Sequence, residues 1–415
     1  MKTRILNNII MFMIISSTGG LLFVFNRNLS FLVLACIIVF SFFFLKHRIK
    51  NTSFYSSLLV LFVLFSLFVF NFIFAANPQS LTKYLFFGVT IFTSVLSLFY
   101  YNNQESKTVF INSLYFILKL VLFHAVFSFI AYFFVTDSLF LITSEYHETL
   151  TFNYLFHYSL KGGAAVINLF GIDFPRNAGM FWEAGILQGY LNLLFFIEIS
   201  IFKRNKKLLA LIIFAILTTY STTGILLLLL QIVYFSFKAI KSKIKIILLI
   251  ILITPIYFIF NANLNEKIYG SGESSFQKRL FDLTQPFFIA IANPLTGVGL
   301  DPDRFQDTRE NFYINSDLNS SLSKIGIEQK VETTSKGSTN SIMYMLAGMG
   351  FPIALLLIYM FIKQQIVTND RLMWFILTFA FVMSEPLLFR PFFFLFIISG
   401  FNQVFYKITS HKKLL

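Results

Sequence analysis

The chain has 415 residues, of which 57% are hydrophobic, 19% aromatic and only 13% charged, with a mean hydropathy of +0.75. A soluble domain of this length needs far more polar surface, and repeated apolar runs of about 20 residues indicate a polytopic α-helical membrane protein. An outer-membrane barrel is excluded, because its strands alternate apolar and polar residues. The net charge of +14 would suit nucleic acid. The basic residues instead cluster beside apolar runs, as the positive-inside rule demands, so no nucleic-acid partner is expected. The single Cys36 permits no intramolecular disulfide, and the five His form no H-x-x-H or H-E-x-x-H pattern. With no Walker loop and no G-x-G-x-x-G either, neither a metal nor a cofactor is expected.

In chain order, twelve spans are expected, at about 6–25, 30–45, 54–75, 83–101, 110–135, 184–202, 208–221, 223–238, 245–262, 341–362, 372–388 and 391–406. The N-terminal MKTR and the apolar run after it read as a retained anchor, since no small-x-small cleavage site follows. The basic stretches are Met1–Arg4, KHRIK (Lys46–Lys50), KRNKK (Lys203–Lys207), KAIKSKIK (Lys238–Lys245), Lys363–Arg371 and Lys407–Lys413. Twelve spans put all of these, and both termini, on the cytoplasmic side of the membrane. That count requires Leu208–Ser236 to be a hairpin turning at YSTTG, Tyr220–Gly224, rather than one long span.

The resulting units are an N-terminal five-span bundle (1–135), a first periplasmic loop (136–183), central helices (184–262), a large periplasmic loop (263–340) and C-terminal helices with a cytoplasmic tail (341–415). The first loop is rather apolar. The large loop holds ten of the nineteen Asp and Glu, together with Lys278, Arg279, Arg304 and Arg309. Within it, 276–300 has the pattern of an amphipathic helix lying over the spans, and 301–337 has the composition of a mobile segment.

Ionisable residues near the spans are few, and a charge at a helix centre costs about 2.5–3.5 kcal/mol on insertion scales. Arg176 and Glu183, in FPRNAGMFWEAG (Phe174–Gly185), stand seven residues apart at a span entrance. With Pro175 as a helix start, a helix over 176–183 points both the same way. Two readings stand: an interfacial Arg and a dipole-favoured Glu, or a functional pair. Glu385 and Arg390, in SEPLLFRP, repeat the theme on the same side, and a periplasmic turn is the plainer reading. Lys119 and His124 do not share a face. His147 and His157 read as surface residues, and Glu198 as interfacial near Lys203. Guanidinium and carboxylate groups thus gather at one leaflet beneath the two long loops, where an anionic amphiphile would fit. Arg is suited to bidentate phosphate recognition.

Four segments carry a resemblance: RNAGMFWEAG (Arg176–Gly185), LTTYSTTGILLLL (Leu217–Leu229), NPLTGVGLDPDRF (Asn293–Phe305) and STNSIMYMLAGMGFPIALLL (Ser338–Leu357). In order and spacing the chain resembles the O-antigen polymerases (Wzy) and O-antigen ligases, polytopic glycosyltransferases of GT-C type. One position departs: a His that often precedes the Asn of the fourth segment is Thr339 here, before Asn340. A base assigned to that His does not carry over, which weakens the ligase alternative. The resemblance implies transfer of a growing glycan from undecaprenyl pyrophosphate to a lipid-linked repeat unit, with membrane lipids around the site and a chain-length regulator as partner. On that reading Arg176 holds the pyrophosphate with Arg304 and Arg279, Glu183 is the base or orients Arg176, and Asn340 and Arg390 contact substrate. Tyr146, Phe152, Tyr154 and Tyr158 are aromatics that would stack on sugars or anchor at the interface. A flippase or transporter is the remaining alternative, against which stand the absence of an internal repeat and the one-sided charges.

Overall fold

The computed structural model describes residues 2–21, 27–44, 50–104, 106, 108–143, 148–158, 166–169, 172–202, 205–239, 254, 257, 273–315 and 338–411. The helices are α1 (Lys2–Gly19), α2 (Arg27–Phe44), α3 (Asn51–Phe74), α4 (Leu81–Asn102), α5 (Val109–Val135), α6 (Ala184–Ser200), α7 (Lys206–Thr218), α8 (Thr222–Ala239), α9 (Glu273–Ala292), α10 (Pro302–Asn315), α11 (Ser341–Ile362), α12 (Arg371–Ser384) and α13 (Pro391–His411).

Helices stand at the positions of eleven of the twelve expected spans, and of the expected ninth, 245–262, only residues 254 and 257 are among those described. The count of twelve crossings is not confirmed. Among the described residues four helices are long and apolar enough to cross a membrane: Asn51–Phe74, Leu81–Asn102, Val109–Ser138 and Ser341–Ile362. Leu29–Phe42, Ala184–Ser200, Thr222–Lys238, Arg371–Ser384 and Pro391–Phe405 are shorter apolar stretches, with polar or proline-containing turns between neighbours, as at YSTTG between α7 and α8 and SEPLLFRP between α12 and α13. The chain is predominantly helical, consistent with the all-α expectation, and the described strands lie in the first loop. There β1 (Phe140–Thr143), β2 (Glu148–Phe152) and β3 (Phe156–Tyr158) form an antiparallel sheet, and β4 (Val166–Leu169) pairs with β5 (Ile172–Pro175).

Helix α6 is the axis of the molecule. Its residues from Ala184 to Glu198 are all buried, as expected of a helix apolar on every side, and α5, α7, α8 and α12 pack around it. One end of this group is tied by Asp370, which accepts from Ser200 (2.6 Å) and Tyr234 (2.9 Å) and pairs with Lys238. That cluster joins the end of α6, the end of α8 and the start of α12. Nearby, Glu198 is buried rather than interfacial: it accepts from Tyr115 (2.6 Å) and from the Asn205 amide (2.7 Å). The opposite end gathers the starts of α6 and α8 with the end of α12.

Helix α11 is broken at Gly350 (φ 73°, ψ 166°), two residues before Pro352. Pro352 has no N–H to offer the Gly348 carbonyl. The freed groups are satisfied by the NPLTGVG segment, as apolar surroundings require. Val298 N donates to Ala347 O (2.9 Å), Gly299 N to Gly348 O (2.8 Å), and Phe351 N to Pro294 O (2.8 Å). Asn71 of α3, fully buried, donates to both Thr296 O and Gly348 O (2.8 and 2.9 Å). A Cβ at Gly350 would collide with the Leu295 carbonyl, so this glycine is required on both counts. Two of the four resembling segments thus clasp each other.

The 276–300 expectation is met by α9, which packs on α11. The 301–337 expectation is corrected in its first part: 302–315 is helix α10, anchored by buried Phe305 and Arg309, and 316–337 lies outside the described residues.

Candidate functional site

The expected helix over 176–183 does not form. Residues 176–178 are irregular, 179 and 180 turn, and α6 begins only at Ala184 with Glu183 as its N-cap. Pro175 closes β5 instead of opening a helix. The reason is local anchoring. Asn177 donates through Nδ2 to Ala125 O and Thr218 Oγ1 (both 3.0 Å), its own N–H donates to Thr218 O (3.0 Å), and its Oδ1 accepts from Gly179 N (3.1 Å). Phe181 forms an antiparallel bridge with Gly20 at the end of α1. These bonds hold the segment extended across the turn between α7 and α8.

So placed, Arg176 is half-buried, and its Nε donates to the Thr219 carbonyl at 3.4 Å. Burial pushes its guanidinium below the ordinary value, Glu183 raises it, Arg279 lowers it further and Glu385 raises it again. A guanidinium remains charged throughout. Arg279, on α9, donates to Thr223 Oγ1 in the first turn of α8 (3.2 Å). Two cations from distant segments therefore meet where α6 and α8 both begin, the ends of helices whose open N–H groups favour anions.

The two carboxylates differ. Glu183 is exposed and extended (φ −146°, ψ 144°), and its side chain makes no cap hydrogen bond. Glu385, at the end of α12, is 2% exposed. A Cβ at Gly185 would collide with Glu385 Oε1, so the carboxylate rests directly on the first turn of α6. Ser341 Oγ donates to the Glu385 carbonyl (2.8 Å) and accepts from Leu388 N (3.3 Å), fixing the turn. SEPLLFRP is therefore more than a plain turn.

The other expected site residues lie elsewhere. Arg304 is exposed on α10 and pairs with Asp307 at 3.6 Å. Asn340 caps α11, its Oδ1 accepting from Met343 N at 3.1 Å. Arg390 lies over the Phe86 ring of α4, 5.6 Å from its centroid. Of the first-loop aromatics, Tyr158 is buried and donates to Ser128 O (2.8 Å), Phe152 is half-buried, Tyr154 is exposed, and Tyr146 lies outside the described residues. His157 is buried rather than superficial, and His147 lies outside the described residues.

The position of the missing histidine is occupied. Thr339 donates through N (2.9 Å) and Oγ1 (2.6 Å) to Asp282 Oδ2, while Asp282 Oδ1 pairs with Arg309 at 2.8 Å. Arg309 is 0% exposed, lies 4.4 Å from the Phe281 centroid and donates to Gln285 Oε1 (2.9 Å). This carboxylate is saturated with donors and holds α9, α10 and the start of α11 together. Sequence reasoning passed over Asn177, gave Asp282 and Arg309 no role, and read Glu385 as part of a turn. The only signal for them was polarity next to the quoted segments.

The fold is that of a predominantly helical membrane protein in which two arginines lie beside the starts of α6 and α8. Residues 208–358 match the family model of the O-antigen ligases, which supports an O-antigen polymerase/ligase-like family and a function of that type for the chain. No curated protein and no solved structure matches the chain. The matched stretch includes α7 to α10 and most of α11, and so contains Arg279 but neither Arg176 nor Glu183.

Proposed function

We propose that the chain is an O-antigen-type polysaccharide polymerase, transferring a growing glycan from undecaprenyl pyrophosphate to a lipid-linked repeat unit at the periplasmic face of the bacterial inner membrane. The observation that carries this reading is the meeting of Arg176 and Arg279 at the starts of α6 and α8. Such a pair supplies the positive charge that a departing diphosphate needs, preorganised by Thr219 and Thr223. Lys238, at the opposite end of α8, belongs to the basic KAIKSKIK stretch, so the charge rule assigns the Asp370 end to the cytoplasm and the arginine mouth to the periplasm.

In the reaction, the acceptor hydroxyl oxygen bonds to the anomeric carbon of the donor sugar. The bond from that carbon to the diphosphate oxygen breaks, and its electron pair leaves with the diphosphate between the arginines. The hydroxyl proton passes to a carboxylate, for which Glu183 is exposed and undemanded by the helix cap. Asp282 is unsuited to that part, being saturated by Arg309 and Thr339. Arg304, outside this mouth, is left as a contact for the incoming unit.

Purified protein mixed with lipid-linked repeat units in detergent, without nucleotide, should build longer glycans. Recovery of only unextended units would overturn the reading. The matched model's own description favours a second reading, transfer to lipid A core. A parallel arm containing that acceptor decides between them by which product forms.

A further inference from the structure

We infer that the end of the bundle opposite the two arginines carries a second site, for a phosphate bearing a polyol, such as the glycerophosphate headgroup of an anionic phospholipid. The site is independent of the polymerase reading. A cavity of about 980 Å³ opens there between the starts of α3 and α5, the ends of α4 and α6, the loop joining α11 to α12, and α13. Its volume is that of a small-molecule pocket rather than a packing defect. Thr368 and Asn369 in its wall directly precede Asp370, so it lies at the end that the basic stretches assign to the cytoplasm.

The lining specifies the chemistry of the ligand. Among the described residues that line it, Lys50 is the one charge, and most of the rest are Asn, Gln, Ser or Thr. With no Asp or Glu in this described wall, an ammonium group has no carboxylate to pair with, which disfavours ethanolamine and choline headgroups. A phosphate has Lys50, and beside it the starts of α3 and α5, neither of which is capped by a side chain. Hydroxyl groups have the amides. Ser56 Oγ donates to Asn402 Oδ1 (2.6 Å), Gln365 Nε2 to Gln403 Oε1 (2.6 Å) and Gln365 N to Ser399 Oγ (3.0 Å). These bonds fix the walls, and each amide side chain has donor or acceptor capacity beyond them. Leu98, Phe110 and Phe202 add an apolar face for the carbon skeleton. Anionic headgroups are plentiful at the cytoplasmic leaflet, where basic pockets between helices take them.

Thermal unfolding of the whole protein tests this, in phosphatidylcholine nanodiscs doped with a second lipid of the same acyl chains. Phosphatidylglycerol should raise the unfolding temperature saturably, and phosphatidylethanolamine should not. Phosphatidylserine, equally anionic but with an ammonium and a carboxylate in place of hydroxyls, should act far more weakly. Lys50 is exposed, so its variants should insert normally. Lys50→Gln should weaken the phosphatidylglycerol response by about 10- to 100-fold, the range for losing a hydrogen bond to a charged group, and Lys50→Arg should retain it. Asn112→Leu, in the first turn of α5, should weaken the response while barely moving the unfolding temperature in pure phosphatidylcholine. Soluble glycerophosphate added to pure phosphatidylcholine nanodiscs identifies the source: a shift as large as the lipid's assigns the cavity to a soluble ligand, and no shift assigns it to the membrane. Equal stabilisation by the serine and glycerol headgroups would reduce the effect to surface charge and overturn the site. So would an undiminished response in both Lys50→Gln and Asn112→Leu, or no response to glycerophosphate in either form.

Discussion

Two inner groupings of arginine with carboxylate among the described residues are built differently. Arg309 is fully enclosed, with Asp282 at 2.8 Å, Gln285 at 2.9 Å and the Phe281 ring beneath it, while Asp282 spends its second oxygen on Thr339. Arg176 is half-buried, makes a long 3.4 Å bond to a carbonyl, and sits among two glutamates and a second arginine. A closed, saturated pair joins elements, because any ligand must first break it. A looser grouping of two arginines and two glutamates at helix starts can re-pair its charges, as the proposed anion site would require. The difference separates architecture from chemistry more sharply than charge or burial does.

Breaking the closed pair should have the largest effect. Arg309→Ala leaves Asp282 buried and uncompensated, and should destabilise the protein by about 3–5 kcal/mol, seen as loss of folded protein in thermal unfolding. Next comes Arg176→Ala, which should cut elongation about 100- to 1000-fold while the protein inserts normally. Cells carrying it would display single repeat units on lipopolysaccharide gels, and a normal ladder would remove Arg176 from the chemistry.

A third test concerns a buried group with a like neighbour. Burial, and then His124, hold the His157 imidazole down to about 4 from its ordinary 6.5. The unfolded chain therefore binds the extra proton between these values. The neutral imidazole's contribution is intact above pH 6.5 and is lost as pH falls towards 4, by at most roughly 3 kcal/mol. Hydrogen exchange of the β1–β3 sheet should accelerate over that window, and His157→Asn should remove the dependence. The smallest effect belongs to Arg304→Ala. Its exposed i,i+3 pair with Asp307 is worth less than about 0.5 kcal/mol, so thermal unfolding should barely shift.

Much of the helical layout was legible, because apolar runs bounded by basic clusters are a strong signal. The hairpin at YSTTG is an example: charge placement required a break there, and α7 and α8 separate at Thr219 and Tyr220. The β-strands of the first loop were not legible, since their short apolar runs read equally well as interface-seeking loop. The site was half legible. Charge next to apolar sequence pointed to Arg176, Glu183 and Arg279. Nothing local showed that Asn177 would keep 176–183 out of the helix, or that Asn340 would be taken up as a cap. The pairing of Asp282 with Arg309 and the approach of Glu385 to Gly185 join positions 27 and 200 residues apart, beyond the reach of spacing rules.

The clasp between 293–299 and 347–351 has a topological consequence. Backbone hydrogen bonds pin both ends of the intervening chain inside the bundle, so that chain is a closed loop whose anchors do not depend on its length. Lengthening it within 316–337 should add only about 0.6 kcal/mol of closure entropy per doubling. Insertions there should therefore leave the clasp, and the arginines of α9 and of the segment before α6, where they are, as thermal unfolding of lengthened variants would check.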